Sequence, residues 1–340
     1  MNQSQLYLLV STGSDDESEV EMLMSTHLRP YASLCAAAHY DTGKIQPEEK
    51  LSACIKPCNE RSTIIPDTRC LLSFVVDIEN RQGELIGSCD FKRAALIDYV
   101  SASALRIIAK RNNGGEVTGR EESEIITQNM KYCLHFSEVG VPVEPRVKIP
   151  PVREAQISAL TRKAHHVQTA VGNGAQSPVL MTTLMRREVY HELEDLAERS
   201  ERDGLEKGCF LDGEVLYDPE RREFARLFTE FIPARSAERS EASLRINGDC
   251  WSQYYCLRSG RGVLLAEGHS HPSAIVSSAL ADTTMFLSSS DKQIHRLFFW
   301  QFFQSTVIVS KPEPQGFQMG VWGWSDGLIV PEHDAYVIDE

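Results

Sequence analysis

The sequence predicts an α/β protein of two domains, and three observations carry that expectation. Before residue 140, short β-rich runs mix with one helical stretch. Four prolines in residues 141–151 then break the chain. Beyond residue 178, amphipathic helices alternate with short apolar strands, the pattern of a three-layer α/β/α sandwich. A length of 340 residues gives the same soft prior of about two domains, each of ~100–200 residues. The expected boundaries are 1–150 for an N-terminal α+β domain, 151–177 for a linker with a connecting helix, and 178–340 for a C-terminal α/β domain.

In the N-terminal part, residues 7–10 and 71–78 are β-rich runs. Residues 84–89 are positioned to pair with the second across the turn signal Asn80-Arg81-Gln82-Gly83. Residues 91–111 carry Leu96, Val100, Ala104, Ile107 and Ile108 at helical spacing, and Asn112-Asn113-Gly114-Gly115 stops them. Residues 131–137 make a last strand. The proline-rich segment 141–151 cannot be helix and reads as an extended linker. Residues 155–171 are expected to be the connecting helix, and 172–178 a second break.

The C-terminal part opens with a strand at 179–181. A helix follows, with Val189, Leu193, Leu196 and Ala197 on one face, ended by Gly204. Residues 209–211 and 214–217 read as a strand or a hairpin around Gly213. Further strands are expected at 224–232, 263–266, 306–309, 317–324 and 328–330, with an apolar helix at 294–303.

Composition sets outer limits. Hydrophobic residues make up 42% and charged residues 24%, which excludes wholesale disorder. The net charge of −13 argues against a nucleic-acid partner. Nine cysteines without framework spacing fit reduced thiols and a cytoplasmic setting better than a disulfide scaffold. The apolar run at 6–10 has no basic flank and is followed at once by acids, so it is not a signal peptide. No run of ~18 apolar residues predicts a membrane span. Cys54-x3-Cys58 is a close cysteine pair without a second pair at metal-ligand spacing, so it reads as idle thiols.

The residues that carry chemistry are His269, His271 and Asp291. Alternate residues of a strand point to one side, so His269 and His271 can present two imidazoles to one point. Pro272 stops the strand. Asp291 stands at the start of the apolar helix, where the helix dipole favours a carboxylate. Two imidazoles and a carboxylate suit zinc and leave a fourth tetrahedral position open to water, the pattern of a catalytic site. Such chemistry also needs a proton shuttle, which a second carboxylate supplies.

His269-Ser270-His271-Pro272, followed by Phe286-Leu287-Ser288-Ser289-Ser290-Asp291, resembles the metal motif of the JAMM (MPN-plus, Mov34/JAB) zinc isopeptidases. In that family a glutamate precedes H-[ST]-H-P, and S-x-x-D follows it. Glu206-Lys207-Gly208-Cys209-Phe210-Leu211-Asp212-Gly213 matches the glutamate element in position and form. The resemblance covers about residues 178–330. It implies a cytidine-deaminase-like α/β/α sandwich with one catalytic zinc ion held by His269, His271 and Asp291. It also implies Glu206 as catalytic acid/base and Ser288 as donor to the oxyanion. The family cleaves isopeptide bonds between a ubiquitin-like C-terminus and a lysine. The implied partners are therefore a ubiquitin-like protein or its conjugates, with activating and conjugating enzymes of the same pathway, and neither nucleic acid nor membrane.

Two departures stand out. The stretch from His269 to Asp291 is longer than the family's by roughly nine residues. The surplus lies in 273–285, a loop or a flap beside the zinc. It makes Asp282 a rival ligand, but Ala279 stands where Asp282 would need the motif serine, so Asp291 is preferred. Glu267-Gly268 replaces an apolar or aromatic approach to the first histidine, a change expected to act on substrate fit. Read without the motif, Glu206 is a solvated strand-edge acid and Ser288 a helix N-cap. His165, His166 and His191 have no ligand pattern, His295 is a helix residue, and the aromatic run 298–303 is core packing. The alternative function is a non-catalytic MPN-type scaffold, which usually lacks one or more metal residues. A zinc nucleobase deaminase would need H-x-E and P-C-x-x-C, and neither is present.

Overall fold

The computed structural model describes residues 5–11, 18–22, 25–40, 44–45, 49–62, 69–97, 99–100, 131–137, 146–169, 181–235, 238–239, 244–260, 262–273, 284–332 and 334–339. The protein is mixed α/β and strand-rich. By contact it divides into two units. The first comprises Met1–Ile149, Ser289–Gln301 and Asp326–Leu328, and the second Pro150–Ser288, Phe302–Ser325 and Ile329–Glu340.

The first unit contains β1 (Gln5–Ser11), β2 (Ser18–Met22), α1 (Ser25–Ala38), β3 (Lys50–Ser62), β4 (Arg69–Glu79), β5 (Leu85–Lys92), β6 (Lys131–Ser137) and β7 (Arg146–Lys148). Its sheet runs β2-β1-β6-β4-β3-β7, with β5 also on β4, and every pair is antiparallel. The hairpin expected across Asn80 forms. Asn80 Oδ1 accepts from the amides of Gln82 and Glu84, and Gly83 takes a φ of 76° that few other residues adopt. Helix α1 buries Leu28, Tyr31, Ala32 and Cys35. The Tyr31 ring meets Phe74 and Phe91 edge-on at 5.2 Å, an arrangement aromatic quadrupoles favour.

The helix expected at 91–111 starts later than predicted. Phe91 and Lys92 finish β5, because Phe91 stacks inward on Phe74 across the strand pair at 5.7 Å, and a 3-10 turn, Arg93–Leu96, follows. Residues 101–111 lie outside the described residues. Within the extended segment 141–151, Arg146–Lys148 is not free linker, since it pairs with β3.

The second unit begins with β8 (Val152–Glu154), α2 (Ile157–Lys163), β9 (His165–Gln168), β10 (Met181–Arg186), α3 (Arg187–Asp203), β11 (Gly208–Asp218), β12 (Glu223–Pro233) and the short pair β13 (Glu238–Arg239) and β14 (Leu244–Arg245). It continues with α4 (Gly248–Leu257) and β15 (Val263–Ser270). After α5 (Ser289–Phe298), which belongs to the first unit, come β16 (Ser305–Ser310), β17 (Gln318–Ser325), β18 (Leu328–Glu332) and β19 (Asp334–Ile338). The sheet order is β18-β17-β16-β15-β11-β12-β10-β19-β9, with β8 on β11. It mixes parallel pairs, such as β15 with β16, and antiparallel pairs, such as β11 with β15.

Two expectations are corrected here, and the open choice of strand or hairpin at 209–217 falls to the strand. The connecting helix ends at Lys163; Ala164 turns extended and His165–Gln168 gains hydrogen bonds as an edge strand against β19. Residues 208–218 form one strand rather than a hairpin. Its register shifts at Asp212/Gly213, where a Cβ on Gly213 would lie 1.9 Å from the Leu227 carbonyl oxygen of β12. The apolar helix covers Ser289–Phe298 instead of 294–303. Of its aromatic run, Phe299, Phe302 and Phe303 are buried, but Phe298 is 54% exposed.

Helix α3 buries Val189, Leu193, Leu196 and Ala197, the face read from the sequence. Gly204 ends it in the left-handed region, with its amide on the Ser200 carbonyl. That turn delivers the chain to Glu206 just ahead of β11.

Candidate metal centre

Strand β15 places the two histidines. Gly208 of β11 and Ile308 of β16 flank His269 in register. The strand ends at Ser270, but the His271 amide still donates to the Val309 carbonyl, so the alternation extends one residue further. Gly268 lies on the opposite side, where a Cβ would stand 2.7 Å from Cys209 Sγ. Ser270 ties the other end of the site down. Its amide donates to the Lys207 carbonyl at 2.8 Å, and its Oγ accepts from the Lys207 amide at 2.9 Å. These bonds fix the residue next to Glu206.

Both imidazoles are buried, and both have one nitrogen committed. His271 Nδ1 lies 2.7 Å from the Thr284 carbonyl, which can only accept, so this nitrogen carries the proton. His269 Nδ1 lies 2.8 Å from Glu267 Oε1, and an ionised carboxylate likewise only accepts. With both protons on Nδ1, each Nε2 presents a lone pair, and the two nitrogens face each other at 3.2 Å. Two lone pairs at that separation repel unless a proton or a cation sits between them. Two nitrogens on one tetrahedral zinc, at ~2.0–2.1 Å each, stand about 3.3 Å apart. The residues present thus fit a zinc ion.

The second unit brings His269 and His271 together on one strand face, while Asp291, the third residue of the motif, belongs to the first unit. Asp291 is in the first turn of α5, and Ser288 is half-buried immediately ahead of that helix. Glu206 is 4% exposed, which removes its reading as a solvated edge acid. Its Oε1 is 3.9 Å from His271 Nε2, beyond a direct hydrogen bond and in reach through one intervening oxygen. The neighbouring Cys209 lies on the other side of the strand pair, against Gly268. Burial, and next the Glu267 carboxylate, push its thiol well above the ordinary range, so it stays protonated.

Three contributors were missed in the sequence. Glu267, expected to act on substrate fit, hydrogen-bonds a histidine instead. The signal was present, since Glu267 and His269 are alternate residues on one strand face. Phe286 packs on the His271 ring at 4.8 Å. The Thr284 carbonyl orients His271, and Met285 beside it joins the core with Ile308 and Trp322. Residues 274–283, which hold the rival Asp282 and most of the expected loop or flap, lie outside the described residues. Of the histidines set aside, His166 pairs with Asp334 and His191 with Glu194 at exposed positions.

The geometry defines a buried two-histidine centre with carboxylates beside it. No family model matches the chain, and no curated protein matches it. Among solved structures the chain is similar to protein DSY2949 from Desulfitobacterium hafniense, determined in solution. The identity is 19%, the match covers 47% of this chain and 94% of that one, and the TM-score is 0.35.

Proposed function

We propose that this chain is a zinc-dependent isopeptidase of the JAMM type. Its C-terminal part would take that family's α/β/α sandwich and remove a ubiquitin-like protein from a target lysine, or trim the protein's C-terminal tail. The observation that supports this best is the pair of buried imidazoles whose Nε2 atoms face each other at 3.2 Å. In this reading His269, His271 and Asp291 hold the metal. Zinc, when bound, supplies Lewis acidity, lowering the pKa of water to about 7 and polarising a carbonyl.

The remaining steps fall to the chain's own groups. Glu206 takes a proton from the attacking water and returns it to the amine that leaves. Ser288 donates a hydrogen bond to the oxyanion of the tetrahedral intermediate. Glu267 and the Thr284 carbonyl each engage the Nδ1 of one imidazole, which turns both Nε2 atoms toward each other. The partners in this reading are a ubiquitin-like protein or its conjugates, together with activating and conjugating enzymes of the same pathway.

The test is Glu206→Gln, assayed on a ubiquitin-like protein joined to a lysine side chain. Turnover should fall by about 10²–10⁴-fold while zinc content and thermal unfolding stay at their native values. Full activity in that variant would remove Glu206 as the base. Full activity after chelation would remove zinc from the mechanism.

A further inference from the structure

The first unit contains a second cluster of ligand-type side chains. Cys35 stands in the last turn of α1, and His39 follows directly after the helix ends at Ala38, four residues on. Cys89 reaches the same point from β5. One ligand atom from each lies within 4.8 Å of the others. Cys89 Sγ is 3.8 Å from His39 Nε2, and a sulfur and a nitrogen on one tetrahedral zinc stand about 3.6 Å apart.

The cluster is built rather than incidental. A Cβ on Gly87 would come within 2.3 Å of the His39 ring, so the ring lies directly on the β5 backbone, and only glycine admits it there. Cys35 is fully buried, and its thiol donates to the Val76 carbonyl at 3.2 Å. His39 Nε2 also faces the Ser88 carbonyl at 3.1 Å. A carbonyl can only accept, so this nitrogen carries the ring proton in the metal-free chain and must pass it to Nδ1 to act as a ligand. Asp77 is close by, but its Oδ1 accepts from Ser88 Oγ at 2.6 Å and its Oδ2 pairs with Lys56, so it adds negative charge rather than a ligand.

We propose that Cys35, His39 and Cys89 bind a zinc ion that ties the end of α1 to β5. Two thiolates and an imidazole match the preference of zinc for soft and borderline donors, and binding must displace the Cys35 proton, which the Cys89 hydrogen bond and burial hold on the thiol. Three protein ligands leave one tetrahedral position for an exogenous ligand. This site does not depend on the histidine pair of β15 or on the function proposed for it. Binding would stabilise the first unit, because the ligands come from a helix and a strand that the unfolded chain does not hold together.

Cobalt separates the two sites, since only thiolate ligands give an intense near-ultraviolet charge-transfer band with Co2+. The probe is Co2+ added to the full-length chain, freed of metal and kept under a non-thiol reductant. The band should appear in the native chain, persist in His269→Ala and vanish in Cys89→Ser. His39→Gln should shift its titration more than tenfold to higher Co2+. Under Zn2+, His269→Ala should retain a zinc ion that Cys89→Ser in the same chain removes. Cys89 is half-exposed on a strand, so its serine variant is the decisive one if Cys35→Ser fails to fold. Absence of the band in the native chain, or its survival in Cys89→Ser, overturns the proposal.

Discussion

Replacing Glu267 tests the β15 centre without knowledge of the substrate. Its carboxylate is 2.8 Å from His269 Nδ1, and both groups are almost fully buried. Glu267→Ala removes the acceptor that keeps the proton on Nδ1. The proton is then free to sit on Nε2, which disables that nitrogen as a ligand. Loss of an outer partner of a metal-bound histidine costs about 10–100-fold in affinity. At about 1.4 kcal/mol per tenfold, that is about 1.4–2.7 kcal/mol. By linkage, the stability gained on saturating the site falls by the same amount. A domain of ~150–250 residues shifts by roughly 2–4 °C per kcal/mol, so the zinc-induced rise in Tm should shrink by about 3–11 °C. Glu267→Gln retains an acceptor and the tautomer but lacks the charge, so it should fall between native and alanine.

The assay is zinc titration against a competing chelator, paired with calorimetry with and without zinc. The Cys89→Ser background removes the thiolate site from the measurement. Native zinc affinity in Glu267→Ala would refute the reasoning. So would an equal loss of Tm in the presence and absence of zinc, because that marks a packing effect rather than an effect on the ligand.

Three further predictions concern other parts of the fold. Arg226 and Glu332 form a buried ion pair at 2.9 Å, and Thr183 Oγ1 donates to the same carboxylate at 2.6 Å. Glu332→Ala should cost about 3–5 kcal/mol by denaturant unfolding, whereas Arg226→Met with Glu332→Leu should cost little; a loss below about 1 kcal/mol in the single variant would contradict this. Gly213→Ala must push β11 from the Leu227 carbonyl and should destabilise the second unit by about 1–3 kcal/mol or more in urea. The Cys89 thiol is held down to about 7, chiefly by the hydrogen bond from Cys35 and against the effect of burial. Its alkylation in metal-free protein, followed by peptide mass spectrometry, should therefore rise through a midpoint near pH 7, and Cys35→Ala should move that midpoint upward.

Much of the second unit was legible because its signals are local. The α3 face repeats at helical spacing and ends at Gly204 in the left-handed region. The strands around the site are short apolar runs, and β15 carries its two histidines at the alternation of a strand. The errors arose where tertiary pairing overrode local pattern. Residues 165–168 continue a helical pattern, yet the free edge of β19 draws them into a strand. Gly213 left a strand and a hairpin open, and the choice was decided where β11 and β12 approach too closely for a side chain. Helix α1 went unread because Pro30 lies inside it, and proline there signals a break. The Cys35-x3-His39 spacing was on the page, but the third partner, Cys89, stands 50 positions from His39 and gives no spacing signal.

The candidate site shows the same division at the level of single atoms. Residue types told which groups can bind a cation, and strand alternation told that His269 and His271 share a face. Neither told which nitrogen of each ring is available. That is settled by the partner of the other nitrogen, and the two cases differ in kind. For His269 the partner is a side chain two residues away, so the information lies in the sequence as Glu267. For His271 it is a backbone carbonyl 13 positions later, and every residue type supplies one of those. Thr284 is selected by where the chain returns after residue 273, and Met285, packed with Ile308 and Trp322, anchors that return. A substitution at Thr284 that keeps the backbone should thus leave zinc affinity near its native value. Met285→Ala should lower it, because the carbonyl loses the anchor that aims it.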